Sequence, residues 1–304
     1  MSSSSPSATH HVTRALDPLA AALVVMLCLS WGFNQVAVKL AIHDIPPLIQ
    51  GAIRSVLGAT IVAAWCRARG VKLLTRDDTL VAGIVAGVLF GGEFILIYQG
   101  LAYTTATRAV VFIYLAPFFV VLGARIFLPA DRLGVSQWIG LALSFAGIVL
   151  AFGLPTPALD PRQLLGDVMM IAAALFWAAT TLLIKASKLV RISAEKVLLY
   201  QLVVSAPMLG VAALFAGEQL MKMPPPVALG ALAYQTVWIV SVTFALWFAL
   251  VARYSANRLS AFTFLTPLFG VAAGHLVLGE PLTPAFAAAV VLVAGGLILV
   301  NRAR

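Results

Sequence analysis

The sequence predicts an all-α membrane protein with ten transmembrane helices, arranged as two inverted five-helix repeats. Three observations support this fold class. The chain is 62% hydrophobic and only 10% charged, ten apolar segments are long enough to cross a bilayer, and two distant segments align without a gap. A soluble domain carries roughly 25% charged residues, so a water-soluble fold of this composition could not cover its apolar surface.

Each apolar segment holds about 20 residues, the length at which a helix crosses a hydrocarbon core of ~30 Å. The predicted spans are 19–39, 46–66, 79–99, 104–128, 134–153, 164–185, 196–216, 227–250, 255–278 and 282–301. Short connections rich in Pro, Gly and charge separate them. The first segment is too long for the apolar core of a cleaved signal peptide. Residues 1–18 are Ser-rich and aperiodic, so they predict a disordered N-terminal tail.

The distribution of Lys and Arg predicts the topology. With the N-terminus inside, only Lys39, Arg162 and Lys222 fall in external loops, and the other loop cations are cytoplasmic. This bias predicts a multi-pass protein of the bacterial inner membrane with both termini in the cytoplasm. It also accounts for the net charge of +9. Nucleic-acid binding is not predicted, because no basic stripe with interleaved aromatics occurs outside the apolar segments.

The segment LAYTTATRAVVFIYLAPFFVV at 101–121 aligns with VARYSANRLSAFTFLTPLFGV at 251–271. The identical pairs include residues that low-complexity matching does not give, namely Arg108 with Arg258, Phe112 with Phe262, and Pro117 with Pro267. The repeats are predicted over 19–153 and 164–301. Five helices per repeat is an odd number, so the second repeat must enter the membrane from the opposite side. Inverted repeats are typical of transporters that alternate access around a site near the midplane.

Four segments resemble the drug/metabolite transporter superfamily of the EamA type: SWGFNQVAVK (30–39), PPLIQGAIR (46–54), LAYTTATRAVVFIYLAPFFVVL (101–122) and FLTPLFGVAAGHLVLGEPLTP (264–284). The resemblance covers almost the whole chain from Leu19 onward. It implies two inverted five-helix repeats, a central cavity, and export of amino acids or other metabolites. Aromatic amino acid exporters are the nearest kind. One departure is Ala-Asp-Arg at 130–132, where the second half has Gly-Glu-Pro at 279–281.

Charged residues inside the spans are candidates for substrate contact or ion coupling. An ionisable group at membrane depth faces a cavity or a partner. Glu93 in the third span could contact a substrate amine or carry a coupled proton, or it could make a structural hydrogen bond. Arg54 in the second span could pair with a substrate carboxylate, snorkel, or form a structural ion pair. His275 in the ninth span could relay protons or be a packed, hydrogen-bonded histidine.

Aromatic and uncharged polar residues are candidates for the wall of the cavity. Interfacial belts also collect tryptophan and tyrosine, and uncharged polar groups serve equally in interhelical hydrogen bonds. The predicted substrate-binding residues are Trp31, Asn34, Glu93, Tyr98, Trp177, Thr180 and Trp238.

Proline and glycine predict two features of the spans. Pro117 and Pro267 remove a backbone donor and should kink the fourth and ninth spans, which suits a gating role. Gly83, Gly87 and Gly91 recur at four-residue spacing in the third span, which permits close helix packing within one chain or between two.

No enzyme is predicted, because the sequence has no GxxxxGK[ST], no HExxH and no hydrolytic triad. No cofactor or metal is expected. The prediction is a secondary exporter of small amphipathic metabolites, amino acids first, that acts on a small-molecule solute in the lipid bilayer. A monomer is expected because two inverted halves suffice for one pathway. Efflux of cationic drugs or other metabolites is one alternative, and a non-transporting membrane scaffold or sensor is another.

Overall fold

The computed structural model of the chain describes residues 16–73, 75, 77–104, 106–128, 133–153, 160–279, 282 and 284–301. Within these residues all regular secondary structure is helical, and ten helices are long and apolar enough to cross a membrane. The predicted fold class of an all-α protein with ten transmembrane helices is therefore confirmed. Most of the predicted tail, and the loop residues 130–132 and 280–281, lie outside the described residues.

Each helix begins and ends within three residues of its predicted span. Their bounds are α1 Pro18–Ile42, α2 Pro47–Ala68, α3 Leu80–Leu101, α4 Ala106–Ile113 with Ala116–Phe127, α5 Val135–Phe152, α6 Pro161–Ala186, α7 Ala194–Phe215, α8 Pro226–Arg253, α9 Ala256–Phe262 with Leu265–Leu278, and α10 Pro284–Asn301. Side-chain caps fix several starts. Oδ1 of Asp17 accepts from the backbone N–H of Ala20 at 2.9 Å and so caps α1.

Helices α4 and α9 are interrupted just before Pro117 and Pro267, at the places where the sequence predicts kinks. Proline has no N–H to bond the carbonyl four residues back. Both helices tighten there into bonds between residues three apart: Phe118 N–H to Leu115 O at 3.0 Å, and Thr266 N–H to Thr263 O at 2.9 Å. A third irregularity is a π-helical stretch, Tyr234–Thr243, inside α8.

The three glycines of α3 pack against α7 within this chain. They face α7 side chains that share their four-residue spacing: Gly83 with Tyr200, Gly87 with Val204, and Gly91 with Met208. A Cβ on Gly87 would lie 2.9 Å from the carbonyl oxygen of Tyr200. Glycine at these places therefore allows α3 and α7 to approach closely.

The packing partners of the helices repeat after a shift of five helices. Helix α1 packs on α8 and α9, and α6 packs on α3 and α4, while α2 packs on α7 and α5 on α10. Exchange of this kind is what a two-fold relation between the halves requires. The inverted direction of the second half remains a prediction.

Candidate functional site

A cavity of about 490 Å³ lies among helices of both halves. Its volume falls in the range of small-molecule sites, which are mostly apolar with a few placed polar groups. Aliphatic and aromatic side chains from α1, α3, α4, α6, α8 and α9 form most of its wall.

Among the residues that the structure describes, the cavity lining reaches only one end of the bundle. Lys39 and Ile42 of α1 and Leu101 of α3, near the ends of their helices, belong to its lining. Toward the opposite end, the last lining residues are Thr181 of α6 and Phe248 of α8, more than one helical turn before those helices finish. The mouth therefore lies where α1 and α3 end.

Hydrogen bonds link three helices at the closed end of the cavity. The Lys185 ammonium, in the last turn of α6, donates to the main-chain oxygen of Val251 at 2.9 Å and also to that of Tyr254. These carbonyls end α8, where a cation both fills unsatisfied acceptors and complements the helix dipole. The Tyr254 hydroxyl donates to Oδ2 of Asp17 at 2.8 Å. The network thus joins the ends of α6 and α8 to the start of α1.

Trp31 forms a fixed part of one cavity wall. Its indole N–H donates to the hydroxyl of Thr243 at 2.9 Å. Its ring stands edge-on to Trp247, with centroids 5.3 Å apart, and to Phe244 at 6.0 Å. Edge-to-face contacts of this kind hold aromatic rings in place while leaving an apolar surface toward the cavity.

One basic and one acidic side chain, Arg54 and Glu93, lie in this mostly apolar space. Arg54 of α2 is only 2% exposed, and its guanidinium lies 4.1 Å from the ring centroid of Phe94. Its Nη2 is fully buried and has no hydrogen-bond partner among the described residues. Glu93 of α3 lines the same cavity. Within the described part of the chain, the two side chains form no ion pair.

The structure brings most of the predicted site residues together. Those that line the cavity are Trp31, Asn34, Arg54, Glu93, Trp177, Thr180 and Pro267. The Thr180 hydroxyl is already bonded to the main-chain oxygen of Phe176 at 2.9 Å.

The other predicted site residues lie away from the cavity lining. Tyr98 packs beside Arg54, 5.9 Å from its guanidinium, in a cluster with Leu48 and Leu209. Trp238 is partly exposed, and its indole donates to the Ser30 hydroxyl at 3.0 Å. The remaining two are His275, which is exposed on α9, and Pro117, which is buried in α4.

Sequence reasoning missed Tyr114, which lines the cavity and packs against Trp177 with centroids 6.1 Å apart. It also missed Phe90 and Phe244, which stack edge-on at 5.7 Å in the same wall. The phenylalanines carry no polar signal that separates them from lipid-facing residues. Tyr114 does carry one, its phenol hydroxyl, and it lies in the helix interruption just before Pro117.

A model of the EamA-like transporter family matches residues 18–153 and 164–302. The chain is 24% identical to an uncharacterized transporter of Bacillus subtilis (strain 168), over 86% of this chain and 89% of that protein. It is also 24% identical to a protein of Salmonella typhimurium named "Probable amino-acid metabolite efflux pump", over 91% and 93% of the two chains. A solved crystal structure with 21% identity superposes with a TM-score of 0.77, covering 93% of this chain and 96% of that one.

Proposed function

Because this chain belongs to the EamA-like transporter family, we propose that it exports small amphipathic metabolites, and amino acids first among them. Export proceeds by alternating access: the cavity between the two halves opens to one side of the membrane and then to the other. The chain acts as a secondary transporter and not as an enzyme.

The observation that carries this proposal is the cavity itself. It is large enough for a small solute, its wall is mainly aromatic and aliphatic, and it holds one basic and one acidic side chain, Arg54 and Glu93. Such a lining suits a solute with an apolar body and charged ends. With both termini in the cytoplasm, the mouth at the ends of α1 and α3 faces the outside, so this conformation is the outward-facing one.

The relatives support amino acids as the first class of substrate. Proteins of Salmonella typhimurium and Escherichia coli that carry the name "Probable amino-acid metabolite efflux pump" match over more than nine-tenths of their lengths. Efflux of cationic drugs is less well supported, because the guanidinium of Arg54 lies in the same cavity and opposes a purely cationic solute.

Counterflow in proteoliposomes tests the proposal. The purified protein is reconstituted, loaded with unlabelled amino acid, and assayed for uptake of labelled phenylalanine, of other labelled amino acids and of labelled organic cations, each with and without a pH gradient. Amino acid exchange above that of protein-free vesicles supports the proposal. Exchange of organic cations alone would contradict the amino acid assignment, and no flux of any solute would favour a scaffold or sensor.

A further inference from the structure

We propose that Arg54 and Glu93 together bind a zwitterion, with Arg54 holding the carboxylate and Glu93 the ammonium group of an α-amino acid whose side chain is apolar. The inference rests on the proposed function, because it assumes that the cavity is the substrate path. It adds the chemical groups that are recognised and the residue that recognises each.

Arg54 has the chemistry of an unfilled anion site. A guanidinium has five N–H donors, and a buried donor without a partner costs free energy. No hydrogen bond to Arg54 is present among the described residues. The Phe94 ring lies against the guanidinium at 4.1 Å and helps to hold it in place. A carboxylate can then accept two parallel hydrogen bonds, the geometry for which arginine is suited.

Glu93 differs from its counterpart in the other repeat in a way that indicates a ligand. Extending the alignment of 101–121 with 251–271 back by eight residues places Thr243 of α8 opposite Glu93. The Thr243 hydroxyl accepts from the indole of Trp31 at 2.9 Å and donates to the main-chain oxygen of Ile239 at 2.6 Å. Glu93 has no hydrogen bond among the described residues, although it lines the cavity. The structural bonds made by Thr243 are thus not made by Glu93, whose oxygens remain available to accept from an ammonium group.

An arginine and a glutamate that do not pair directly with each other favour a ligand that carries both a carboxylate and an ammonium group. A ligand with only a carboxylate would satisfy Arg54 and be repelled by Glu93, and a simple amine would meet the reverse situation. A zwitterion satisfies both groups and brings no net charge into the membrane. The aromatic wall around Trp31 and Trp247 leaves an apolar surface for the side chain.

Competition against the unmodified protein tests the two charges separately. Counterflow of tritiated L-phenylalanine is measured with three unlabelled competitors: phenylalanine, phenylalaninamide, which lacks the carboxylate, and N-acetylphenylalanine, which lacks the ammonium group. Each derivative should compete about tenfold or more weakly than phenylalanine, the loss expected for one charge-assisted hydrogen bond. Equal competition by either derivative would overturn the zwitterion inference while leaving amino acid transport intact.

Paired variants assign each charge to its residue. Arg54→Gln should weaken competition by phenylalanine about tenfold and leave competition by phenylalaninamide unchanged. Glu93→Gln should weaken competition by phenylalanine and leave competition by N-acetylphenylalanine unchanged. Arg67→Gln, at an exposed site on the same helix as Arg54, and Glu195→Gln, in the first turn of α7, are matched controls that should behave as wild type. Gel filtration in detergent shows whether each variant is folded.

The outcomes separate a wrong residue assignment from a failure of the proposed function. If a folded Arg54→Gln variant still prefers phenylalanine over its amide as strongly as wild type does, the assignment of the carboxylate is wrong. The same holds for Glu93→Gln and the N-acetyl derivative. If no amino acid or derivative is exchanged by the unmodified protein, the proposed function itself fails, and this inference fails with it.

Discussion

The rings of Tyr114 and Phe264 lie 6.2 Å apart, centroid to centroid, and the two residues occupy equivalent places in the aligned repeats. Under the predicted two-fold relation between the halves, equivalent residues contact each other only close to the axis. Both rings also stand at a helix interruption, between Ile113 and Ala116 in α4 and between Phe262 and Leu265 in α9. The two interrupted helices therefore meet at the centre of the bundle, beside the cavity.

Pro117→Ala combined with Pro267→Ala should slow transport several-fold. Alanine restores the N–H groups that proline lacks, so both helices can continue without the interruption. Straighter helices at the bundle centre should resist the rearrangement between the two cavity orientations. The maximal rate of phenylalanine counterflow should fall, while the phenylalanine concentration that gives half of this rate should change little. Pro207→Ala, inside α7 and outside the cavity lining, is the matched control. Unchanged rates in the double variant would rule out gating by these prolines.

Lys185→Met should loosen the closed end of the cavity. The substitution keeps an unbranched stem but removes the ammonium that bonds Val251 and Tyr254. Loss of charge-assisted hydrogen bonds made in one conformation shifts the population toward the other, tenfold for each ~1.4 kcal/mol. The share of molecules open at this end should rise several-fold.

The reactivity of the Cys28 thiol can be used to measure how often this end of the cavity opens. It is fully buried in α1 on the closed side of Trp31, where its thiol contacts the main-chain oxygen of Phe262 at 3.3 Å. In a Cys66→Ala background, Lys185→Met should speed the reaction of Cys28 with N-ethylmaleimide several-fold. Lys188→Met is the control, since Lys188 makes an exposed ion pair with Asp78, which contributes little. Equal reaction rates in all three proteins would show that Lys185 does not hold this end closed.

Asp77 should make the fold sensitive to acid. The ammonium of Lys196, at 2.6 Å, and the hydroxyls of Thr79 and Thr75 donate to its carboxylate and hold the pKa of Asp77 well below its usual value. A depressed folded-state pKa contributes stability that is present above the unfolded-state pKa of ~3.9 and is lost as pH falls through the lower folded value. Asp77→Asn should therefore lower the unfolding midpoint at pH 7. The difference from wild type should shrink once the pH drops below about 4. A difference that is the same at both pH values would show that the charge of Asp77 is not responsible.

The spans could be predicted from the sequence because length and hydropathy decide which segments cross a bilayer. The side of each helix that faces the cavity could not, because lipid and cavity both accept apolar side chains. Trp238 and Trp247 illustrate the difficulty: both lie on α8, and only Trp247 lines the cavity. The π-helical stretch Tyr234–Thr243 changes the rotation per residue between them, so a regular helical period does not give their relative directions. Arg54 and Glu93 were easier to predict, because charge inside a span is costly and needs a reason.

The ion pair of Arg108 with Asp167 shows a relation that sequence alone did not reveal. Arg108 is only 6% exposed, and its guanidinium pairs with Asp167 of α6, which is 3% exposed. The Thr104 hydroxyl donates to the same carboxylate at 2.6 Å. The pair fastens the start of α4 to the start of α6, near the mouth of the cavity.

Removing only one partner of this ion pair should destabilise the protein much more than replacing both partners. Asp167→Leu leaves the Arg108 charge buried without its carboxylate, which costs about 3–5 kcal/mol and should lower the unfolding midpoint in detergent by at least ~5 °C. Adding Arg108→Met removes the stranded charge and should restore most of that loss, because apolar replacements of buried pairs are often close to neutral. Asp160→Asn is the control, since asparagine caps α6 about as well as aspartate. A double variant that is less stable than Asp167→Leu alone would mean that Arg108 stabilises the fold through other contacts, and the ion pair would then not be the main link between α4 and α6.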